Sequence, residues 1–480
     1  MLHTIDQIKT HIINNHINNE NTDKELNPTK YKDKSDLSYA VNKKLKLSVY
    51  NTNQILNRKY NESDINTLLY LFNHISAGIY VKILNNKIEL FMPFENKNFN
   101  NNWHQNIKFD KEENDGNDEK NVSTFNSLMQ FIKIRKRIIK RFNRYEYNTS
   151  KWHCNANIIN NEKYDSNDNY IPHSIFDYYD IIKETLLHHT VGDVCFYINK
   201  RDSCVLHKKL LEPYINMYPK NDMNLQPKLD EKYQNRCYTP VLSPYTNENY
   251  ADIPFIIPED WKLIYTRSTD GKNTNNIKWE GKIETAIFRG SATGSVEFKN
   301  NQRLQIAKID NEWKTSKPDL IDAGIVSWNA RDKIDSNLTI AYIKPKEMNN
   351  IGIFLKKKIS MNEQVKFKYI INIDGHSATN RFSYLLQSGS LILNVESKYV
   401  IGNQRWYDHL LIPYKHYVPI KYDLSDLEEV ILWCRLNDDK CQIIVQNALE
   451  FYNSYFTKEH ILKYTSNLFN LLSNQRFLDK

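Results

Sequence analysis

The sequence predicts an α/β protein built on two cores, and three observations carry that expectation. The chain has 480 residues, more than one hydrophobic core ordinarily serves. Val194 to Ile198, Tyr369 to Ile373 and Leu391 to Val395 are short apolar runs closed by polar residues, as buried strands are. Between the last two runs, Phe382, Leu385 and Leu386 recur at helical spacing until Ser388-Gly389 stop the pattern, so the order there is strand, polar loop, helix, strand.

Taken in order, residues 1–60 are polar and rich in Asn and Lys, and read as an N-terminal extension. From Leu68 to Phe94 a helix precedes two strands, Gly78 to Leu84 and Lys87 to Phe91, joined at the hairpin pair Asn85-Asn86. Lys111 to Lys120 is a charged loop. Leu128 to Phe142 sets Leu128, Phe131, Ile132, Ile138, Ile139 and Phe142 against a face of Lys and Arg. Such a basic amphipathic helix packs one face on a core, or lies on an anionic membrane. The Val194 run ends in Asn199-Lys200-Arg201-Asp202, which puts Asp202 at the carboxyl end of a strand, where open α/β sheets carry their chemistry. A turn or cap residue fits the same spot.

Cys237 to Trp261, rich in Pro and Tyr, reads as a long ordered loop. The polar stretch Thr266 to Ile277 marks a boundary between an N-terminal domain, 61–265, and a C-terminal domain, 280–440. Thr285 to Phe288 is a strand running into Arg289-Gly290-Ser291-Ala292-Thr293-Gly294, whose small residues and hydroxyls suit close approach to a phosphate or sugar, and equally an ordinary turn. A helix carrying Arg303 follows, and Asp438 to Leu478 is helical by pattern.

Composition excludes some classes. The net charge of +8 is modest for this length and dispersed, so no specific nucleic-acid partner is expected. The first twenty residues lack the apolar core of a secretory signal, and no run reaches the ~20 apolar residues of a membrane span. Six cysteines without a CxxC pair or a regular framework fit reduced thiols, so a cytoplasmic protein is expected. GxGxxG, P-loop, HExxH and GxSxG are all absent, and no two Asp residues are separated by a single residue as in a metal-holding DxD.

The loop between the two C-terminal strands, His376, Ser377, Ala378, Thr379 and Asn380, empties onto a helix N-terminus at Arg381. Free N–H groups and a guanidinium there would make an anion site. An ordinary βαβ unit with Arg381 as a solvated charge reads the same way.

The wider segment resembles the CAP10-like glycosyltransferases of family 90, which include the protein O-glucosyltransferases. The residues that carry the resemblance are Lys368-Tyr369, Asp374-Gly375, Arg381, Ser388-Gly389-Ser390-Leu391, Pro413 with His416-Tyr417-Val418-Pro419, Asp423-Leu424-Ser425-Asp426-Leu427 and Asn437-Asp438-Asp439. The abundance of Asn, Lys, Ile and Tyr, with only 12 Gly, resembles proteins of A/T-rich genomes such as those of large DNA viruses, for which the compartment would be the host cytoplasm.

The resemblance implies a GT-B fold: two Rossmann-like domains facing across a cleft, with the last helix crossing back to the first domain. It implies a UDP-sugar donor, a protein or glycan acceptor, no cofactor and no metal. Asp202 matches the catalytic base of the family's Asn-x-Arg-Asp sequence, although Ser203 stands where a Pro is usual. Arg289-Gly290-Ser291 matches an Arg-Gly-Ser segment whose Ser contacts the nucleotide sugar, with Thr293 in the same loop. Arg303, Arg381 and the loop from His376 to Asn380 would hold the donor diphosphate, while His416 lines the cleft or packs among its aromatic neighbours. The expected reaction is metal-independent transfer of glucose or xylose to an acceptor hydroxyl with inversion. The alternative is a glycan- or nucleotide-sugar-binding protein on the same fold without turnover.

Overall fold

The computed structural model describes residues 62–75, 77–95, 108–109, 173–213, 228–234, 236–246, 249–270, 277–329, 333–334, 339–397 and 405–474. The N-terminal extension to residue 60, the charged loop from Lys111 and the basic segment Leu128 to Phe142 lie outside them.

The first sheet grows from a hairpin. Helix α1 (Glu62–Tyr70) leads through a π-helical turn into β1 (Ala77–Leu84) and β2 (Lys87–Glu95). Asn85 and Asn86 both take positive φ, 49° and 58°, the geometry that lets a two-residue turn follow the twist of its strands. The two-residue β3 (Lys108–Phe109) belongs to a separate small sheet described below. Helix α2 (His173–His188) precedes β4 (Val194–Asn199), which pairs antiparallel with β1. β5 (Val241–Ser243) and β6 (Ile253–Pro254) then extend the sheet in parallel, giving the order β2-β1-β4-β5-β6. The segment Cys237 to Trp261, expected as loop, therefore contributes two strands of three and two residues. They are too short, and too interrupted by Pro and Tyr, to leave a periodic signal. Helix α3 (Pro258–Asp270) closes this half.

The second sheet is fully parallel. β7 (Ile283–Ser291), helix α4 (Gln302–Trp313) and β8 (Ile321–Ser327) come first. β10 (Thr339–Ala341) is the centre of the small sheet, pairing parallel with β3 and antiparallel with β9 (Lys333–Ile334), and α5 (Pro345–Asn350) and α6 (Met361–Gln364) follow. β11 (Phe367–Asn372), α7 (Phe382–Leu386), β12 (Leu391–Val395) and β13 (Val418–Ile420) complete the order β13-β12-β11-β7-β8. Numbered within this half, the strands run 2-1-3-4-5, a doubly wound order whose direction reverses between β7 and β11. Tyr369, Ile371, Leu391, Leu393 and Val418 are buried in its core, consistent with strands covered on both faces.

Three helices end the described chain, α8 (Leu427–Leu436), α9 (Asp438–Tyr455) and α10 (Lys458–Ser473). The helical stretch from Asp438 breaks once, where Thr457 caps α10 by accepting from the His460 N–H. α10 lies on the first sheet: Phe469 stacks on Phe196 with ring centres 4.7 Å apart, and the Tyr464 hydroxyl donates to the Pro254 carbonyl at 2.8 Å. One hydrophobic core accordingly joins residues of both halves, from Ile79 and Phe196 to Phe382, Trp406 and Phe469.

At that junction the Trp406 indole N–H donates at 2.8 Å to Asp260, a fully buried carboxyl that desolvation pushes up to about 7. A folded-state pKa above the unfolded one means that this contribution is fully present below about pH 4 and is lost as pH rises to about 7. Asp260→Asn keeps an acceptor for Trp406 without the titration. We expect its denaturation midpoint to fall less than that of the native protein between pH 5 and 8. Parallel pH profiles would exclude Asp260 as a source of the dependence.

Candidate active site

In open α/β sheets ligands bind beyond the carboxyl ends of the strands, at the point where strand order reverses. Here that point is the gap between β7 and β11, and it opens into a cleft of about 1000 Å³, counted out to its mouth, with the first sheet's loops as the opposite wall. The structure is thus of GT-B type, two α/β halves facing across a cleft.

The C-terminal wall is organised by Arg303, the second residue of α4. Its Nε donates to the Asp374 carbonyl at 3.1 Å, Nη1 to the Ser291 carbonyl at 3.1 Å and Thr293 Oγ1 at 2.6 Å, and Nη2 to the Ile373 carbonyl at 2.8 Å. One side chain therefore ties the end of β7 to the loop after β11. The helix start is fixed in turn by Asn301, whose side chain accepts from the N–H groups of Arg303 and Leu304. Burial, with Arg381 nearby, pushes Arg303 down to about 9. A guanidinium keeps its proton at neutral pH, so Arg303 puts a cation on the wall of the cleft, with the Asp374 carboxylate near enough to act on it.

Gly375 lets the loop approach Arg303. A Cβ there would sit 2.5 Å from Thr293 Oγ1 and 3.2 Å from Arg303 Nη2. Gly375→Ala should therefore break the Arg303 to Thr293 bond and lower stability by about 1 kcal/mol, the scale of one hydrogen bond. Denaturant unfolding checks this, and a native midpoint in the variant would show that the contact is dispensable. Beyond Gly375, the Thr379 N–H donates to the Asp374 carboxylate at 3.0 Å, and Arg405 Nη1 donates to the Thr379 carbonyl at 2.9 Å. The Gly294 N–H donates to His376 Nδ1 at 3.3 Å, closing the β7 loop onto the β11 loop. His376, Ser377, Ala378, Thr379 and Asn380 all line the cleft with Thr293 and Arg303.

Five predicted residues do not line the cleft. Arg381 bridges the two strands, donating from Nη1 to the Arg289 carbonyl at 3.0 Å and from Nη2 to the Ile371 carbonyl at 3.2 Å. The helix it precedes has five residues, too short to present much of a dipole to an anion. Arg381 and Arg303 share the Phe288 ring, at 5.4 and 6.0 Å from its centre. Arg289 is committed to Asp322, with an ion pair at 2.8 Å. Gly290 lies against Phe288 and Arg303, and the Ser291 hydroxyl accepts from Ser327 at 2.7 Å. His416 is buried against Phe451, accepts from the Ile412 N–H at 2.9 Å, and is pushed down to about 4 by burial. It packs and does not line the cleft.

The N-terminal wall carries Asp202, exposed at the end of β4. Its turn is held from below by Asn199, fully buried, which accepts from the Arg201 N–H at 2.9 Å and donates to the Ser203 carbonyl at 2.7 Å and Ser243 Oγ at 3.1 Å. Ser243 donates to Asp252 at 2.5 Å, and Asp252 also accepts from the N–H groups of Val205 and Leu206. The bonds from Asn199 thus fix the backbone on either side of Asp202, where the usual Pro is missing. The same wall holds Tyr178, Tyr245 and Glu259, which the sequence reading did not single out. Glu259 was within reach of it, because Pro258 followed by two acids is the pattern of a helix start.

The profile of glycosyl transferase family 90 matches residues 132–476. The chain belongs to glycosyl transferase family 90. Among relatives of this family 90 chain, protein 179R of Invertebrate iridescent virus 6 is 34% identical over 466 residues, covering 85% of this chain and 37% of the viral protein. Protein O-glucosyltransferase 3 of Rattus norvegicus is 33% identical over 173 residues, 35% of this chain and 28% of its own. The chain therefore spans little more than a third of the viral relative's length. Among solved structures, TarM overlaps 44% of this family 90 chain at 15% identity and a TM-score of 0.28, covering 42% of its own. A sucrose-phosphate synthase of Thermosynechococcus elongatus overlaps 50%, and 53% of its own, at 10% identity and a TM-score of 0.27. The GT-B assignment rests on the strand order and the cleft, not on these overlaps.

Proposed function

We propose that this family 90 chain transfers a sugar from a UDP-sugar to an acceptor hydroxyl, without a metal and with inversion at the anomeric carbon. The observation that carries the reading is that one cleft has Asp202 on one wall and Arg303 on the other. The donor diphosphate lies against Arg303, Thr293 and the loop from His376 to Asn380, where charge-assisted hydrogen bonds stabilise the UDP leaving group. Asp202 takes the proton of the acceptor hydroxyl as its oxygen attacks the anomeric carbon and the bond to the diphosphate breaks. Glucose, the sugar in the names of the O-glucosyltransferase relatives, or xylose is the sugar favoured. A protein or glycan supplies the hydroxyl. Among the described residues no helix is long and apolar enough to cross a membrane.

The test is nucleotide release by the native protein from UDP-glucose, UDP-xylose and other UDP-sugars, with EDTA present. Release that survives the chelator supports the metal-free mechanism and names the donor. Release abolished by EDTA and restored by a divalent ion would contradict it. UDP binding with no release across a screen of acceptors would favour the binding protein without turnover.

A further inference from the structure

We propose that the hydroxyls of Tyr178 and Tyr245 bind the acceptor in this cleft, and that the acceptor is a neutral sugar; the inference rests on the transferase reading above. Tyr178 stands on α2 and Tyr245 on the loop after β5, and both line the wall that carries Asp202. Both are more than nine-tenths buried, with 3% and 5% of the residue exposed. The Tyr178 ring stacks on Phe255, centres 5.9 Å apart, and the Cys204 thiol donates to the Tyr245 carbonyl at 3.4 Å. Each residue is thus held by contacts that leave its hydroxyl out.

What singles the pair out is the state of those hydroxyls. Four buried tyrosines of the same half spend theirs on the protein: Tyr70 donates to the Val205 carbonyl, Tyr80 to the Asp64 carboxylate, Tyr197 to the Asp64 carbonyl and Tyr250 to the Pro213 carbonyl. Tyr369 and Tyr407 lack a partner but are shut in the core. The hydroxyls of Tyr178 and Tyr245 have no hydrogen bond among the described residues and are not shut in, so they open on the cleft. A phenol held in this way offers one directed donor to whatever enters. Burial pushes both well above the usual tyrosine pKa, with the charges of Glu259 and Asp202 acting in the same direction, so both keep their protons. Both hydroxyls therefore stand within range of the same two carboxylates, one of them the proposed base. Two phenols and two carboxylates on one wall exceed what the single hydroxyl of a serine can use, whereas the adjacent hydroxyls of a sugar match them. Lys200 and Arg201 balance Asp202 and Glu259 formally, so this wall has no net charge with which to draw an ion and selects through hydrogen bonds.

The experiment uses the full chain, the donor that gives nucleotide release, and p-nitrophenyl β-glucoside, β-xyloside and β-galactoside as acceptors, with a serine peptide beside them. Phenylalanine at either position removes the hydroxyl and keeps the buried ring. Tyr178→Phe and Tyr245→Phe should each raise the KM of the best glycoside by roughly fivefold, the scale of one hydrogen bond, and the double variant should raise it further. UDP affinity, nucleotide release to water without acceptor, and the denaturation midpoint should stay native, because the hydroxyls have no bond in the protein to lose. A native acceptor KM in both variants overturns the inference while leaving the transferase intact, as does a rise in donor KM alone. Turnover of the serine peptide and of no glycoside overturns it as well. No nucleotide release from any donor with any acceptor overturns the transferase reading, and this inference with it.

Discussion

Replacing Asp202 by Asn should reduce transfer by roughly 10²–10⁴-fold, the range over which a positioned base contributes, while UDP binds as tightly as before. The substitution is nearly isosteric at an exposed position with no hydrogen bond among the described residues to lose, so stability should stay within about 0.5 kcal/mol of native. Steady-state release of UDP alongside calorimetric binding separates the two quantities. Native turnover in Asp202→Asn would assign the base elsewhere, and Glu259 is the other carboxylate on that wall. Asn199→Ala gives a further discrimination. It leaves Asp202 in place but removes the bonds to the Ser203 carbonyl and the Arg201 N–H, so a lowered kcat with unchanged UDP affinity is expected if the turn positions the base.

Arg303→Gln has the second large effect, and it is on binding. The guanidinium supplies four hydrogen bonds and the positive charge of the C-terminal wall, so UDP affinity should fall by ~10–100-fold, given about 1.5–3 kcal/mol for a charged hydrogen bond. Removing the fork also strips donors from the Ser291, Ile373 and Asp374 carbonyls, and a loss of stability accompanies it. Arg303→Lys separates the contributions, since it keeps the charge but not the fork. It should recover part of the affinity and little of the stability. Affinity unchanged in Arg303→Gln would mean that the diphosphate lies elsewhere.

Much of the C-terminal half was legible in the sequence because its strands are buried on both faces. Tyr369 to Ile373 and Leu391 to Val395 read as near-continuous apolar runs and emerge as β11 and β12. The hairpin was equally plain, because Asn-Asn in a two-residue turn has few other uses. β5 and β6 were not legible, being shorter than any periodic window. At the site, Asp202, Thr293, Arg303 and the loop from His376 were found by their position after strands and by family resemblance. The depth of Arg381 and the commitment of Arg289 to Asp322 were not, since a sequence gives the type of a side chain and not the strand carbonyls or carboxylate that will occupy it. Tyr178, Tyr245 and Glu259 come from three separate stretches that only the packing of α2, the β5 loop and α3 brings to one wall.

A crystal structure of the full chain soaked with UDP tests the proposed donor site most directly. Diphosphate density is expected against Arg303, Thr293 and the His376 to Asn380 loop, with the open end of the cleft facing Asp202. UDP bound outside this cleft, or bound within it with its phosphates on the Asp202 wall, would rule out this donor site.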